Sequence, residues 1–589
     1  MSALVILGIG VAAIVIGYFV YAKLIDRRVI QPDDKKATPA KMYMDGVDFT
    51  PANRNVLFGY QFKSIAALGP IIGPITAVLW GWVPALLWVV FGTFFIGWVQ
   101  DYSSIVLGLR EEGQSFGALS YKLISPRSRG ILIMFIYFYL LLIMGAFGTQ
   151  VGFGLLINPA VPLGVILVIV VGLLAGQMTY KWKVDIILTT VITVVLAFLA
   201  IWVGTLPGVQ TFFKGIFGAT AAAPTGPTMF LSVTQAKLIG SLLVVVICYF
   251  GAVLPIWRWA QPINYVSFWI VSLGILGGIV GLIIWRPGMG NFPAFTGFYA
   301  TGLGPLWPIL FVTIACGAVS GWHSLVSSSG TARQIEKESD ALFVGGGAMF
   351  FEMFFAIVAF LCATAAFGSF QGFSDVFKTG AAAVFSKGLS TFMNQWGLDK
   401  IAGAGFGVAY GGVFLTLMAL TIMYLVVRFM RVASAEALGD KIPILKNAHV
   451  GTLLALILTL VLIWIVPFLQ IWVVFGAANQ LMASLALLLA TVWLMSKGKR
   501  YQWTFWPFVF MFVTTIGALL YKAYEAFFLN LPKALAAAQT AATAQSIAAN
   551  IIIGAVDLVL IIAALILAWD ALKAFRKYRA AAPAAVRPA

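Results

Sequence analysis

Histidine, cysteine and charge are all scarce in this 589-residue chain: two His, three Cys, and only 10% Asp, Glu, Lys and Arg together. With His323 and His449 alone, no HExxH zinc site can be built, and no paired-aspartate site stands out, so enzyme chemistry is not indicated. Cys248, Cys316 and Cys362 sit inside apolar segments without CxxC spacing. They read as small packing residues and say little about redox compartment. A GxxxxGK[ST] loop is also missing; the nearest string, Lys497-Gly498-Lys499-Arg500, lacks the spacing and the hydroxyl. That excludes ATP drive from this chain. Finally, there is too little polar surface for a soluble protein of this size.

The chain is instead 61% hydrophobic, with a mean hydropathy of +1.00. About fifteen segments reach the roughly 20 residues needed to cross a bilayer. They are 2–24, 56–81, 83–107, 130–157, 161–178, 184–206, 235–256, 264–285, 306–330, 342–368, 402–430, 448–467, 470–495, 503–524 and 548–572. The expectation is an all-α polytopic protein of the cell inner (plasma) membrane.

Orientation follows from the basic residues. With the N-terminus outside and the C-terminus inside, about 28 of the 37 Lys and Arg face the cytoplasm, as the positive-inside rule requires. They include Lys23 to Arg54 in the first loop, Arg258, Arg333, Arg428, Lys497 to Arg500, and Lys573 to Arg587 in the tail. The net charge of +17 is thus topology and implies no nucleic-acid partner. The first segment has no basic residue ahead of its apolar run and reads as an uncleaved anchor rather than a signal peptide. Membrane lipid and a small-molecule substrate are the expected partners, and the helices at the C-terminal end leave room for a homodimer.

Two Gly-Pro pairs, Gly69-Pro70 and Gly73-Pro74, fall inside the second apolar segment. Such a segment cannot remain a lipid-facing helix, because the carbonyls freed by proline have no water to bond. Broken helices survive at membrane depth where they line a polar cavity, as in secondary transporters built from inverted repeats. Five spans later, Gly251, Pro255 and Pro262 interrupt the chain again, which suggests a LeuT-like 5+5 core with a second broken helix there. The expected organisation is an N-terminal anchor helix and cytoplasmic linker (1–55) and a first five-helix repeat (56–206). A second repeat with outer loops (207–431) and a four-helix extension (432–589) follow. In 369–401, Phe373, Val376, Phe377, Val384, Phe385, Leu389 and Phe392 recur at helical spacing, which predicts an amphipathic helix on the outer surface, a candidate gate. The Ala-rich 525–547 loop is expected to be helical.

Polar residues within apolar segments are costly and mark function or packing. Ser320, Ser324, Ser327 and Thr331 share one face of the 306–330 segment with His323 close by. In a LeuT-like arrangement this eighth core helix meets the first. The hydroxyls of Ser327 and Ser328, with the carbonyls of Ala66 and Gly69, then form a candidate Na+ site, the one metal expected besides no cofactor. The same hydroxyls suit ordinary helix packing. Candidate substrate-binding residues are Gly69, Pro70, Gly73, Gly251, Pro255, Arg258, His323 and Ser324; a guanidinium at Arg258 would clamp a carboxylate or simply anchor the inner surface. Proton-coupling candidates are Glu352, Asp101 and Lys63, the last two as a pair that closes the inner gate or as a plain interfacial ion pair. Asp557 reads as structural.

Six strings carry a resemblance across most of the chain: DGVDFTPANRNVLFGYQF (45–62), GPIIGP (69–74), VQDYSSIVLGLREEGQSFGAL (99–119), LPIWRWAQPINYVS (254–267), TIACGAVSGWHSLVSSSGT (313–331) and FGAANQLMASLALLL (475–489). They resemble the carbon starvation protein A family of the amino acid–polyamine–organocation superfamily. That resemblance implies a LeuT-like fold and uptake of peptides under carbon starvation by a Na+- or H+-coupled symporter, or alternatively uptake of pyruvate or another small carboxylate. A channel is the less favoured reading. Glu352 matches a family glutamate. Two departures stand out: Tyr60-Gln61 replaces a histidine pair, and Tyr424 stands where relatives tend to carry an aspartate.

Overall fold

The apolar segments fold as helices because a backbone in lipid must satisfy its own hydrogen bonds. The chain order in this computed structural model is α1 (Ala3–Ile30), α2 (Arg54–Ile65 and Gly69–Trp80), α3 (Trp82–Arg110), α4 (Pro126–Leu155) and α5 (Pro162–Lys181). Then come α6 (Ile186–Gly204), α7 (Gln235–Val253), α8 (Ala260–Trp285) and α9 (306–313 and 321–331). The last six are α10 (Glu338–Ala363), α11 (Phe406–Leu438), α12 (Ala448–Ile465), α13 (Phe468–Ser496), α14 (Gln502–Ala536) and α15 (Ala542–Tyr578). Among the described residues, thirteen of these helices are unbroken and apolar enough to span, and the two halves of α2 meet at a 50° bend. The chain is a multi-pass membrane protein. The structure describes residues 1–45, 49–217, 235–537 and 540–581. Residues 46–48 of the first family string, the outer loop beyond 217, residues 538–539 of the Ala-rich loop and Arg587 lie outside the described residues.

Local chemistry sets many of the boundaries. Pro126 and Pro162 each open a helix, where a missing N–H is not needed. Side-chain oxygens of Asp185 and Asn447 accept from Ile187 N and His449 N, both at 2.9 Å, and cap α6 and α12. The Ala-rich loop is helical on both sides of residues 537–540, as expected.

Two expectations need correction. Gly251 and Pro255 do not interrupt a span: α7 runs unbroken to Val253, Pro255 lies in the exposed turn that follows, and Pro262 sits in the first turn of α8. Proline here marks a junction between helices, where it costs little. The 369–401 segment is not a surface helix. Its stripe lies on the helices Phe370–Phe377 and Ala381–Met393, ahead of a short third helix at Leu398–Ala402, with Phe373, Val384, Phe385, Leu389 and Phe392 fully buried and only Val376 and Phe377 half-buried. Its apolar stripe packs on protein rather than lipid.

The helix ends that carry the basic residues are tied together by ion pairs. Arg110 bonds Glu338, Arg127 reaches Asp570 at 2.7 Å, and Lys122 and Lys497 reach Glu111 at 2.5 and 3.3 Å. The first linker docks on this end, with Asp34 accepting from Ser339 N at 2.9 Å. Burial pushes the Glu111 carboxyl up, but the Lys122 ammonium, the Trp493 indole at 2.8 Å and Lys497 outweigh it and hold the carboxyl below its ordinary range. A depressed carboxyl stabilises the fold above its unfolded pKa and loses that contribution as pH falls through the folded one. Glu111→Gln is therefore expected to lower Tm at neutral pH and to flatten the fall of Tm between neutral and acid, measured by thermal unfolding in detergent.

Candidate functional site

The site begins with the two broken helices. In α2 the helix stops at Ile65, Ala66 turns extended (φ −72°, ψ 101°), and a new helix starts at Gly69 with Pro70 in its first turn. In α9, Ile314 leaves helical geometry (φ −91°, ψ 73°), and the helix resumes at Gly321 after an extended Ser320. The two breaks cross at backbone contact. A Cβ on Gly69 would lie 2.3 Å from Cys316 Cβ and Sγ, and one on Gly73 would lie 2.9 Å from the Thr313 carbonyl. Only glycine permits this approach. On the basic side of the crossing, Trp322 Nε1 donates to Ser64 O at 2.8 Å and Gln61 Nε2 to Ser327 Oγ at 2.9 Å, while Thr331 bonds Gln61. The second and ninth spans meet as the sequence suggested, but the second break lies in α9.

The α9 break is held open by α13. Asn479 Oδ1 accepts from Tyr139 OH at 2.7 Å and from Trp322 N at 3.1 Å. Gln480 Nε2 donates to the carbonyls of Phe311 (2.8 Å) and Ile314 (3.1 Å), and Trp472 Nε1 donates to that of Thr313 (3.2 Å). Carbonyls freed by the break thus find donors within the protein, which a non-helical backbone at membrane depth requires. Asn479→Leu, which keeps volume but removes these bonds, leaves buried groups unsatisfied at about 1–3 kcal/mol each. The expected result is a Tm fall of several degrees and transport lost at temperatures where the wild type is active.

Beside the crossing lies a buried cluster of ionisable side chains. His323 Nδ1 is 2.9 Å from Asp101 Oδ2, and His323 Nε2 is 3.1 Å from Glu352 Oε2, off the line of a good hydrogen bond. All three side chains are fully buried. The second oxygen of each carboxylate has no partner, and neither does the Oε1 of the adjoining Gln100, whose amide bonds Ser324. Even with the ring protonated at both nitrogens, two ionised carboxylates leave such a triad with a net charge of −1. One further proton neutralises it.

The sequence candidates divide accordingly. Gly69, Pro70, Gly73, His323 and Ser324 come together at the crossing, and Asp101 and Glu352 join them through His323. The expected Lys63–Asp101 pair does not form: Asp101 is taken by His323, and Lys63 Nζ donates to Thr421 Oγ1 at 2.8 Å on α11. Gly251, Pro255 and Arg258 lie elsewhere. Gly251 packs on Tyr424, its carbonyl accepts from Arg428 at 3.0 Å, and Arg258 is exposed beside Gln177 and Lys181. The hydroxyls of the expected Na+ ligands have protein partners. Ser327 is turned to Gln61, and Ser328, backed against Gly108 of α3, donates to Ser324 O at 2.8 Å. Tyr424 OH meets Asn264 Oδ1 at 2.5 Å. Gln61, Gln100, Asn479 and Gln480 were not singled out as site residues, although uncharged amides inside apolar strings are the signal that would have found them.

At the crossing a cavity of about 10 Å³ is walled by Ala67, Tyr139, Phe147, Cys316, Trp322 and Phe475. Towards the end opposite the basic one opens a cavity of about 740 Å³, whose wall includes Thr149, Gln150, Lys237, Lys387 and Phe468. Between the two, Phe147 packs against Trp472 and Phe475 with ring centroids 6.5 and 5.5 Å apart, and Phe468 lies tilted behind Trp472 at 5.5 Å. An aromatic plug thus separates a large vestibule from the crossing.

The sequence profile of the family described as carbon starvation protein CstA matches residues 2–373 and 368–518. The peptide transporter CstA of Escherichia coli is 30% identical over 89% of this chain and 82% of its own length. The corresponding protein of Campylobacter jejuni is 29% identical over 88% and 80%, and the pyruvate/proton symporter BtsT of E. coli is 28% identical over 89% and 82%. Among solved structures, MhsT in complex with L-phenylalanine aligns over 87% of this chain and 99% of its own, at 15% identity and a TM-score of 0.38.

Proposed function

Because the chain belongs to the carbon starvation protein CstA family, we propose that it is a proton-coupled secondary transporter taking up small carboxylate solutes, peptides first and pyruvate as the alternative. The observation that carries this reading is the buried Asp101–His323–Glu352 triad at the α9 break. A net negative charge in a membrane interior is expensive, and one proton removes it. His323 sits in the first turn after the break, so a change in protonation acts on the element that shapes the cavity. With the basic end inside, the large vestibule faces outward and the aromatic plug is the barrier the solute meets first. The breaks then serve as the hinge of an alternating-access cycle. The relatives named for peptide transport and for pyruvate/proton symport support the two substrate choices.

The test is uptake of labelled alanyl-alanine into proteoliposomes, with pyruvate as competitor and a proton or Na+ gradient imposed separately. Accumulation driven by the proton gradient alone is expected. Glu352→Gln should abolish that accumulation by fixing one carboxyl in a neutral form, yet keep solute exchange at equal pH. Uptake that follows Na+ and ignores the proton gradient would overturn the proposal; strong pyruvate competition would move the substrate to the second choice.

A further inference from the structure

The wall of the central cavity carries no charged side chain, yet one lies in the last helical turn of α2 before its break. Lys63 precedes the wall residue Ala67 by four positions on α2, and its partner Thr421 adjoins Ile422, another wall residue. The ammonium therefore lies between α2 and α11, on the side of the cavity nearer the basic end. It is 4% exposed, and Thr421 Oγ1 is its one hydrogen-bond partner among the described residues, with no carboxylate in ion-pair range. An ammonium has three N–H donors; one neutral hydroxyl satisfies one of them. A buried cation without a counter-charge costs several kcal/mol, and in membrane helices such groups persist where they line a solute pathway. The carboxylate expected to pair with it, Asp101, is committed to His323.

A second feature points the same way. The second half of α2 opens at Leu68 with no side-chain cap, so the positive end of a buried helix also faces the break, where it favours an anion. The walls above are aromatic: Tyr139, Phe147, Trp322 and Phe475.

We propose that Lys63 is the carboxylate-binding residue of the central cavity once the two breaks part and open it from its closed volume of about 10 Å³, anchoring the substrate's carboxylate beside the start of the second α2 helix while the rest of the solute lies against Tyr139, Trp322 and Phe475. This rests on the transport reading above and adds the group that selects acids over neutral analogues. The bound carboxylate supplies the counter-charge that the protein itself withholds. Lys63 acts as a point charge, which suits both the terminal carboxylate of a peptide and that of a short keto acid.

The test is solute exchange in proteoliposomes with equal pH on both sides, so that proton coupling drives nothing. Labelled alanyl-alanine and pyruvate are chased with the unlabelled acids or with their amides, alanyl-alaninamide and pyruvamide. The wild type should exchange the acids and be indifferent to the amides. Lys63→Met should weaken the acids by about 10–100-fold, the scale of a charged hydrogen bond, and bring acid and amide level. Lys63→Arg should keep the acid preference with a raised half-saturation concentration. Lys63→Met with wild-type acid preference would overturn the proposal. Should Lys63→Met fail to fold, Thr421→Val decides: it removes the protein partner but keeps the charge, so acid preference should survive, and its loss would overturn the assignment. A wild type that exchanges none of the four solutes would instead count against the transport reading.

Discussion

Gly69→Ala is expected to reduce uptake by more than tenfold and to lower Tm, although it adds a single methyl group. The added Cβ would lie 2.3 Å from both Cβ and Sγ of Cys316, with the Cys316 backbone N next at 3.4 Å. Neither side can yield easily, because both contacts belong to breaks whose backbones are already pinned. Overpacking of this kind costs about 1–3 kcal/mol or more. Since the clash is with the Cys316 side chain, Cys316→Gly in the same chain should recover much of the lost uptake. Uptake and Tm measured for the two single variants and the double variant form a mutant cycle with a large favourable coupling. A strictly additive result would mean that the two breaks do not touch in the working protein.

The second large effect is expected at His323. His323→Leu keeps the volume but leaves Asp101 and Glu352 facing an apolar side chain, and removing one partner of a buried ionic group costs about 3–5 kcal/mol. Poor recovery in detergent and loss of proton-driven uptake should follow. Adding Glu352→Gln to His323→Leu removes one of the stranded charges and should raise Tm again without restoring proton drive. That separation of stability from coupling is the signature to look for. If His323 were only a packing residue, leucine would be tolerated and the second substitution would bring no gain.

The parts legible in the sequence were those written in local chemistry. The apolar runs gave the spans, and Gly69-Pro70 with Gly73-Pro74 gave the α2 break, because proline and glycine act on their own backbone. The α9 break carries only a lone glycine, Gly317, as such a mark. No proline falls between Val312 and Ser320; the break depends on Asn479, Gln480 and Trp472, which arrive from a helix far along the chain. Pro255 and Pro262 show the converse, carrying the local mark of a break at a place where tertiary structure needs only a helix junction. Asp101, His323 and Glu352 were each visible as costly residues, but three separate helices bring them together and no spacing reveals that. The amphipathic stripe in 369–401 is legible as a stripe. What lay opposite it proved to be protein.

The bonds that secure α9 also impose a timetable on biogenesis. Asn479 is 159 residues beyond Ser320, so at about 5–20 residues per second the ribosome needs roughly 8–30 s to deliver the side chain that caps the break. During that interval a broken nascent α9 has carbonyls that lipid cannot satisfy. It must wait near the water-filled insertion machinery, or hold a transient straight helix that α13 later unwinds. Nonsense variants that end before α13 should therefore be cleared by membrane quality control rather than accumulate as a partial transporter.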